Sequence, residues 1–339
     1  MAYETEDHET QYCFPAINSS CIKGKRSRHE YNIMYVLLLL LSIWTVFLNL
    51  LVIISISHFK KLHTPTNLII LSLAVSDMLI GLIVMPVDAI NLIETCWYFG
   101  RTFCGLFVVI IGLLLSVSLG NLVLIAIDRY VAVCYPLVYP RKITMTKTLT
   151  SICICWFTCF SGNFAFAINY RFFDTAQTDV CYGGCYLNVP YSLRIMDLFI
   201  SFLIPCTVII ALYLRIFYVV HQQVKVINSL MKSGKCEIED SVRRKSESKA
   251  ALTLGILVTV YLLCYIPFYI LYITAVTTAE EISSPTMTFL AWTLYANAGV
   301  NPLIYALFYR WFKVSVKHIL TLKIFEPSSS FMDIFADCS

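Results

Sequence analysis

The sequence predicts an all-α membrane protein, a seven-transmembrane helix bundle with a short amphipathic helix at the inner membrane surface. Of its 339 residues, 58% are hydrophobic and 14% are charged, which lies outside the range of ordinary soluble domains. No alternating β-barrel pattern is present, so helices must satisfy the backbone hydrogen bonds in lipid. Seven apolar segments, here called spans 1 to 7, are each long enough to cross a bilayer as a helix: 33–57, 67–90, 103–134, 148–168, 192–220, 250–276 and 286–309.

Span 3 is the segment around which the others are best arranged. Small and polar residues interrupt its apolar surface, as expected of a helix that packs against protein as well as lipid: Gly112, Ser116, Ser118, Gly120 and Asn121. We therefore expect span 3 to lie inside the bundle.

Lysine and arginine are concentrated in the links after spans 1, 3 and 5 and in the tail after span 7. Because cytoplasmic loops carry this excess, the N-terminus is predicted outside and the C-terminus inside. The expected organisation is an extracellular tail (1–32), a seven-transmembrane domain (33–309) and a cytoplasmic amphipathic helix with a tail (310–339). In the N-terminal tail, Asn18 begins an Asn-Ser-Ser acceptor for glycosylation, which requires this orientation.

The amphipathic helix follows span 7 directly. Apolar residues recur at helical spacing among lysines over 310–323, and they are Phe312, Val316, Ile319 and Leu320. This pattern is typical of a helix that lies on a membrane surface and contacts lipid.

Several function classes are disfavoured. The net charge is only +4 without a basic run, so no nucleic-acid partner is expected. A channel or transporter would favour internal repeats or a file of polar residues through several spans, and neither is found. The spans contain no zinc-protease, Gly-x-Ser-x-Gly or paired-acid motif, so we expect neither an enzyme nor an enzymatic cofactor.

Six of the 14 cysteines fall in segments predicted to face the oxidising side: Cys13, Cys21, Cys96, Cys104, Cys181 and Cys185. Six cysteines allow 15 pairings, and the spacing alone does not choose among them.

The chain resembles the rhodopsin-like G-protein-coupled receptors over almost its whole length. The motifs that carry this resemblance are Asn49, 73–77 (Leu-Ala-Val-Ser-Asp), the triplet Asp128, Arg129 and Tyr130, then Trp156, Pro205, 264–267 (Cys-Tyr-Ile-Pro) and 301–305 (Asn-Pro-Leu-Ile-Tyr). The resemblance implies a plasma-membrane receptor that activates a heterotrimeric G protein.

Within that class the chain resembles the trace amine-associated receptors. The similarity lies in 305–312 (Tyr-Ala-Leu-Phe-Tyr-Arg-Trp-Phe) and in Cys21, Cys181 and Cys185. It implies two disulfides, Cys104–Cys185 and Cys21–Cys181. It also implies detection of amines, often in olfactory neurons, with coupling to a stimulatory G protein and a rise in cyclic AMP.

The acid that holds the amine is predicted in span 5. Ile111 stands where amine receptors usually carry an Asp, eighteen residues before Arg129. Some fish trace amine receptors carry the acid in span 5 instead, where Asp197 lies here. The alternative for Asp197 is local pairing with Arg194, three residues earlier on the same helix.

Further ligand-binding residues are expected around Asp197. Phe268, Tyr269 and Tyr295 would supply a cation–π wall, and Tyr265 replaces the usual tryptophan of the span 6 motif. Asp88 is a second acid near the outer end of span 2. It either contacts solvent at the rim or faces inward, where the receptor would hold a diamine.

Asp77 lies in the middle of span 2, where a charge is costly and therefore a functional candidate. The resemblance implies a bound sodium ion there, with ligands from Asp77, Ser118, Asn297 and Asn301. The alternative is a protonated, hydrogen-bonded Asp77 without an ion.

The inner ends of the spans carry the predicted activation switch. Arg129 would pair with Asp128 and with Glu247 in the resting state, beside Tyr130, and opening of span 6 would break that bridge. By resemblance, Tyr213 and Tyr305 are partners of the opened state, and Asn301 and Pro302 in span 7 also belong to the switch. The remaining alternatives are a receptor for a non-amine small molecule or lipid and a monoamine neurotransmitter receptor.

Overall fold

The structure is a computed structural model that describes residues 11–24, 26–169, 181–185, 191–232, 255–271, 274, 284–326 and 329–331. Its helices are α1 (Arg28–His58), α2 (Pro65–Leu79), α3 (Met85–Glu94), α4 (Arg101–Cys134), α5 (Tyr139–Lys142), α6 (Met145–Asn169), α7 (Tyr191–Asp197), α8 (Ile204–Lys232), α9 (Gly255–Leu271), α10 (Ser284–Phe308) and α11 (Arg310–Leu320). Two π-helical turns, Ile80–Val84 and Leu198–Leu203, join α2 to α3 and α7 to α8.

The predicted seven-helix bundle is confirmed. In the described part of the chain, five helical stretches are long and apolar enough to cross a membrane: Arg28–His58, Pro65–Glu94, Arg101–Cys134, Met145–Asn169 and Tyr191–Val226. The predicted spans 6 and 7 are represented by α9 and α10. The predicted ends of span 6, at 250–254, 272–273 and 275–276, lie outside the described residues.

Helix α4, which is span 3, packs against α2, α6 and α8, while α1 packs against α2 and α10. Two glycines allow the close approach of α4 to α6. A β-carbon at Gly120 would lie 2.4 Å from Cys155 Sγ, and one at Gly112 would lie 2.1 Å from Asn163 Oδ1. The small residues that the sequence pattern places in span 3 therefore lie at helix contacts.

This contact predicts an effect on stability. Gly120→Leu should lower the thermal stability of the solubilised receptor, because overpacking of a tight contact costs about 1–3 kcal/mol. Gly162→Leu is the matched control, since a β-carbon there meets nothing within 4 Å. Equal melting temperatures of the two variants in a thiol-dye unfolding assay would contradict the packing described here.

Each π turn ends two residues before a proline, Pro86 and Pro205 respectively. Proline donates no backbone hydrogen bond and crowds the preceding turn, which gives a physical reason for the local widening. In the first π turn, Ser42 Oγ donates a hydrogen bond of 2.6 Å to the carbonyl oxygen of Gly81. The π turns change the rotation of the helix beside two acids, Asp88 just after the first and Asp197 just before the second.

The first helix begins at Arg28, earlier than the predicted boundary at residue 33. A capping box explains the difference: the Ser27 hydroxyl accepts from Glu30 N at 3.3 Å, and the Glu30 carboxylate accepts from Ser27 N at 2.9 Å. The hydrophobic pattern alone does not detect these polar first turns, whereas the Ser-x-x-Glu signature does.

The predicted amphipathic helix is present as α11, although it ends at Leu320 and not at residue 323. Leu322 adopts a left-handed conformation (φ 58°), which ends the regular helix. Trp311 and Phe312 are buried in the core that α11 shares with α1 and α10, whereas Leu320 is exposed. One face of α11 therefore packs on the bundle.

Candidate functional site

Three disulfides close one end of the bundle, called the disulfide end below. Cys104–Cys185 and Cys21–Cys181 are both present, with Cα atoms 5.7 and 5.0 Å apart, as the resemblance implies. The third, Cys13–Cys96, joins the N-terminal tail to the link after α3 with Cα atoms 5.7 Å apart. Sequence reasoning did not assign this bond, although all six cysteines had been grouped on one side of the membrane.

The disulfides hold a layered cap. Segment 181–185 lies between the tail and the link after α3: Tyr182 N donates to Ser19 O at 2.8 Å, Cys21 N donates to Tyr182 O at 2.9 Å, and Trp97 N donates to Gly183 O at 2.7 Å. These hydrogen bonds fix the segment that carries Cys185 over the ends of α3 and α4.

An ion pair adds a further tie between the tail and α3. Lys23 forms an ion pair with Glu94, and Tyr35 donates a hydrogen bond of 2.8 Å to the same carboxylate. The hydrogen bond with Glu94 raises the pKa of Lys23, so this lysine stays charged at physiological pH. The negative charge of Glu94 is thus already balanced by Lys23.

Beneath the cap, an apolar cluster fills the space between α3, α4 and α10. Tyr295, Phe107 and Trp97 are buried members, and Ile111 and Cys185 pack against them. Trp97 and Phe107 have ring centroids 5.4 Å apart. Ile111 therefore contributes to an apolar and aromatic wall at the position where the usual acid would stand.

Asp88 faces this cluster. It is half-buried, and Tyr295 donates its hydroxyl hydrogen bond to Asp88 Oδ2. The structure thus favours the inward alternative for Asp88 over the solvent-exposed one at the rim.

Asp197 ends α7 and has an exposed side chain. Ser201 Oγ donates a hydrogen bond of 2.6 Å to Asp197 Oδ1 from one turn further along the chain. The side chain of Arg194, the alternative partner, lies outside the described part of the structure. Asp197 and Asp88 are brought to the same end of the bundle on different helices.

Aromatic rings stack between α9 and the π turn that follows Asp197 in the chain. Phe202 in the π turn stacks on Tyr269 with centroids 4.2 Å apart, and Tyr265 stacks on Tyr261 at 4.0 Å. Phe268 makes an edge contact with Tyr269 at 5.7 Å. The predicted span 6 aromatics therefore extend from the π turn towards the middle of the bundle, and Phe202 and Tyr261 join them. Tyr261, Tyr265 and Tyr269 recur at i, i+4 spacing on α9, and this pattern could have identified Tyr261 from the sequence.

Asp77 is fully buried at the centre of the bundle. Asn301 Nδ2 donates to its carboxylate at 2.7 Å, and Ser118 Oγ donates at 3.2 Å. Asn297 is also buried, and its Oδ1 has no hydrogen-bond partner among the described residues. An oxygen-rich group with an orphaned amide oxygen has the chemistry that a hard cation such as sodium needs.

Arg129 lies at the opposite end, called the Arg129 end below. It forms an ion pair with Asp128 and donates to Thr66 Oγ1. The Tyr139 hydroxyl donates to Asp128 Oδ1 at 3.0 Å, so Asp128 is held from three elements. Sequence reasoning missed Thr66 and Tyr139, because neither lies in a motif. Glu247 lies outside the described residues.

The structure also describes the other predicted switch residues. Tyr213 and Tyr305 are buried, and their hydroxyls have no hydrogen-bond partner within the described part of the chain. Pro302 is buried inside α10, and Tyr130 packs edge-on against Tyr135 with centroids 5.8 Å apart.

The chain is similar to known proteins over most of its length. Residues 48–305 match the family model of the seven-transmembrane receptors of the rhodopsin family. Trace amine-associated receptor 13c of Danio rerio is 39% identical over 96% of both chains. Trace amine-associated receptor 6 of Rattus norvegicus is 38% identical over 96% of both chains, and trace amine-associated receptor 9 of Rattus norvegicus is 37% identical over 96% of this chain and 98% of its own.

A match over most of the chain at this level of identity shows the family. Members of this family are receptors, so family membership confirms the expectation that the chain is not an enzyme. The chain belongs to the trace amine-associated receptors, within the rhodopsin family of seven-transmembrane receptors.

Proposed function

We propose that the receptor binds a small protonated amine at the disulfide end, with Asp197 as the counter-ion. The observation that carries this proposal is an exposed carboxylate in a membrane span that has a neutral partner, Ser201. A charge in a span is costly unless water or an opposite charge meets it. An alkylammonium would provide that charge through a charge-assisted hydrogen bond.

The surroundings support an amine. Phe202 and Tyr269 present stacked rings beside Ser201, and aromatic faces attract cations. Tyr265, Phe268 and Ile111 would complete the wall of the site. The names of the relatives all state trace amines, and this agrees with the proposed ligand class.

One observation favours a second ligand class. Ile111 packs against the apolar cluster beneath the cap. An apolar wall on that side of the site favours neutral molecules. A non-amine small molecule or a lipid is therefore the alternative. A monoamine neurotransmitter receptor is less favoured, because Ile111 replaces the usual acid.

The orientation proposed is that the disulfide end faces outside the cell. Disulfides persist in oxidising compartments, and Asn18 is exposed and open to glycosylation. Residues 1–32 would then be extracellular, 33–309 would form the plasma-membrane domain, and 310–339 would be cytoplasmic, with α11 against lipid.

The proposed output is activation of a heterotrimeric G protein at the Arg129 end, with a stimulatory subunit and a rise in cyclic AMP. In the resting state Asp128 holds Arg129, and Glu247 would add a second bond. The buried hydroxyls of Tyr213 and Tyr305 have no hydrogen-bond partner among the described residues, and they would gain partners once the helices separate.

A panel of volatile and biogenic amines applied to cells with a cyclic-AMP reporter tests the proposal. We expect a saturable response to at least one amine, absent from cells without the receptor and from cells that express Arg129→Ala. A response of the wild type to lipids or neutral odorants alone would contradict the amine proposal and favour a receptor for a non-amine small molecule or a lipid.

The Asp77 group is proposed to hold a sodium ion in the resting state. Asp77, Ser118, Asn297 and Asn301 would supply oxygen ligands, and the orphaned Asn297 Oδ1 is the observation that favours an ion. The ion would neutralise the buried carboxylate without any role as an enzymatic cofactor.

Asp77→Asn should therefore remove the sodium dependence of agonist affinity and weaken signalling, because the amide keeps the size but loses the charge. Affinity is measured by radioligand competition in sodium and in a large organic cation. Ser76→Ala is the control, since among the described residues the Ser76 hydroxyl bonds only to Leu73 O of its own helix, at 2.8 Å. Unaltered sodium sensitivity of Asp77→Asn would count against the ion.

A further inference from the structure

A short segment of the tail after α11 folds back on the link between α1 and α2. This segment, Ser329–Phe331, is a 3₁₀ turn and is called the tail strap below. It packs on the 3₁₀ turn Lys60–Leu62 of the link. Two side-chain contacts join them: His58 Nε2 lies 3.0 Å from Ser329 Oγ, and Lys60 Nζ lies 3.8 Å from the centroid of the Phe331 ring. The tail is therefore held to the link by contacts of specific side chains.

The Ser329 hydroxyl points at His58 and not into solvent. Ser329 Oγ donates a hydrogen bond of 2.7 Å to Ile324 O. Because a hydroxyl carries one proton, the same oxygen accepts its second hydrogen bond from His58 Nε2. Ser329 and His58 are both half-buried. A group attached to this oxygen would thus lie against the link.

The link is basic, and its own sequence supplies no acid to balance it. Residues 57–67 contain no aspartate or glutamate, whereas four of them are basic or titratable to a cation: His58, Lys60, Lys61 and His63. Over the described ranges, Lys60 forms no ion pair, and its ammonium group contacts the Phe331 ring. Such a surface is complementary to an anion carried by the strap.

The sequence around Ser329 is that of a kinase substrate. Ser329 is the middle one of three consecutive serines, 328–330, and acids lie on both sides of them: Glu326, Asp333 and Asp337. A serine kinase with a basic substrate cleft selects serines in such an acidic context. Phosphate is therefore the anion that the strap can acquire.

We propose that Ser329 is a phosphorylation site and that His58 and Lys60 bind its phosphate. A protein kinase would transfer the γ-phosphoryl group of ATP to Ser329 Oγ: the Oγ–P bond forms, the bond to ADP breaks, and the hydroxyl proton is released. The phosphate carries about −1.5 to −2 charges at pH 7 and three acceptor oxygens. It would accept charge-assisted hydrogen bonds from His58 and Lys60, whereas Ile324 O would lose its donor.

Phosphorylation would thus fasten the strap to the link between α1 and α2. This inference goes beyond amine binding and requires only the proposed orientation, in which the tail is cytoplasmic and meets kinases and ATP.

Phosphopeptide mapping tests the modification. The full-length receptor is isolated from cells treated with a serine-phosphatase inhibitor, and the peptides that cover Ser329 are sequenced by mass spectrometry. We expect phosphate on Ser329, and covering peptides that are unmodified there would overturn the assignment. Antibody staining of a C-terminal tag checks the orientation separately, since staining of intact cells would overturn the orientation, and staining only after permeabilisation would leave it intact.

Protection from a phosphatase tests the binding of the phosphate. Phosphoserine is genetically encoded at position 329 or, as the control, at position 330 of the full-length chain. The solubilised receptor is treated with a broad-specificity alkaline phosphatase, and the loss of phosphate is followed by mass spectrometry. We expect position 329 to lose phosphate about tenfold more slowly than position 330, because charge-assisted hydrogen bonds must break first.

Two double variants identify the groups responsible. His58→Gln with Lys60→Gln keeps hydrogen-bond donors but removes the cations, and it should abolish the protection of position 329. Arg141→Gln with Lys142→Gln is the matched control, since it removes two exposed cations from α5, and it should leave the protection unchanged.

Equal rates at positions 329 and 330 in the otherwise unchanged chain would overturn the phosphate site. Protection that survives the loss of His58 and Lys60 would also overturn it. Loss of protection in both double variants would assign the effect to general positive potential and contradict the named contacts.

Discussion

Asp197→Ala is expected to lower the potency of an active amine about a hundredfold while surface expression stays normal. An ammonium that enters the site loses hydration, and a hydrogen bond to a charged partner contributes about 1.5–3 kcal/mol net. The upper value corresponds to about a hundredfold, because each 1.4 kcal/mol is about a factor of ten.

Two further variants separate charge from packing. Asp197→Asn keeps the size and an acceptor for Ser201, and it should lose as much potency as the alanine variant. Asp197→Glu should retain part of the response, because the charge remains while its reach changes. Dose–response curves at matched surface expression measure all three, and unchanged potency in Asp197→Ala would return this acid to a local role on its own helix.

The Cys104→Ser/Cys185→Ser double variant is expected to lose about 2–4 kcal/mol of stability, with a clear fall in surface expression. The bond ties α4 to the segment over the apolar cluster across 81 residues. Thermal inactivation of the solubilised receptor measures the loss. Cys153→Ser is the control, since Cys153 is a free, exposed cysteine.

Mass mapping of a non-reduced digest provides an independent check of this bond. It should find the peptides of Cys104 and Cys185 linked. Recovery of Cys185 as a free thiol, or wild-type stability of the double variant, would contradict the architecture of the cap.

The sequence was informative where the physical rule is local or one-dimensional. Apolar length predicts the spans, and small residues such as Gly120 predict where α4 is approached closely. The central carboxylate Asp77 could be identified because an uncompensated charge in a span is rare. Its contacts with Ser118 and Asn301 connect motifs that the resemblance had already singled out.

The sequence was less informative where helix rotation decides the outcome. A π turn shifts every residue after it around the helix axis, and the 3.6-residue period does not contain it. The inward direction of Asp88 and its contact with Tyr295 therefore could not be derived from spacing. Pro86 and Pro205 were the available signals for these turns.

Pairings between distant loops were also beyond the sequence pattern. Cys13–Cys96 and Lys23–Glu94 depend on how the tail folds over the bundle, which no periodicity encodes. Thr66 and Tyr139 were missed because neither lies in a motif, and each contacts Asp128 from a separate element.

The central claim is that a protonated amine activates this receptor through a carboxylate at the disulfide end. The most direct measurement compares the most potent amine of the panel with the alcohol of the same carbon skeleton, in cyclic-AMP concentration–response curves on wild-type cells. The account predicts a saturable response to the amine and none to the alcohol at concentrations about a hundredfold higher. Equal potency of the amine and the alcohol would contradict it.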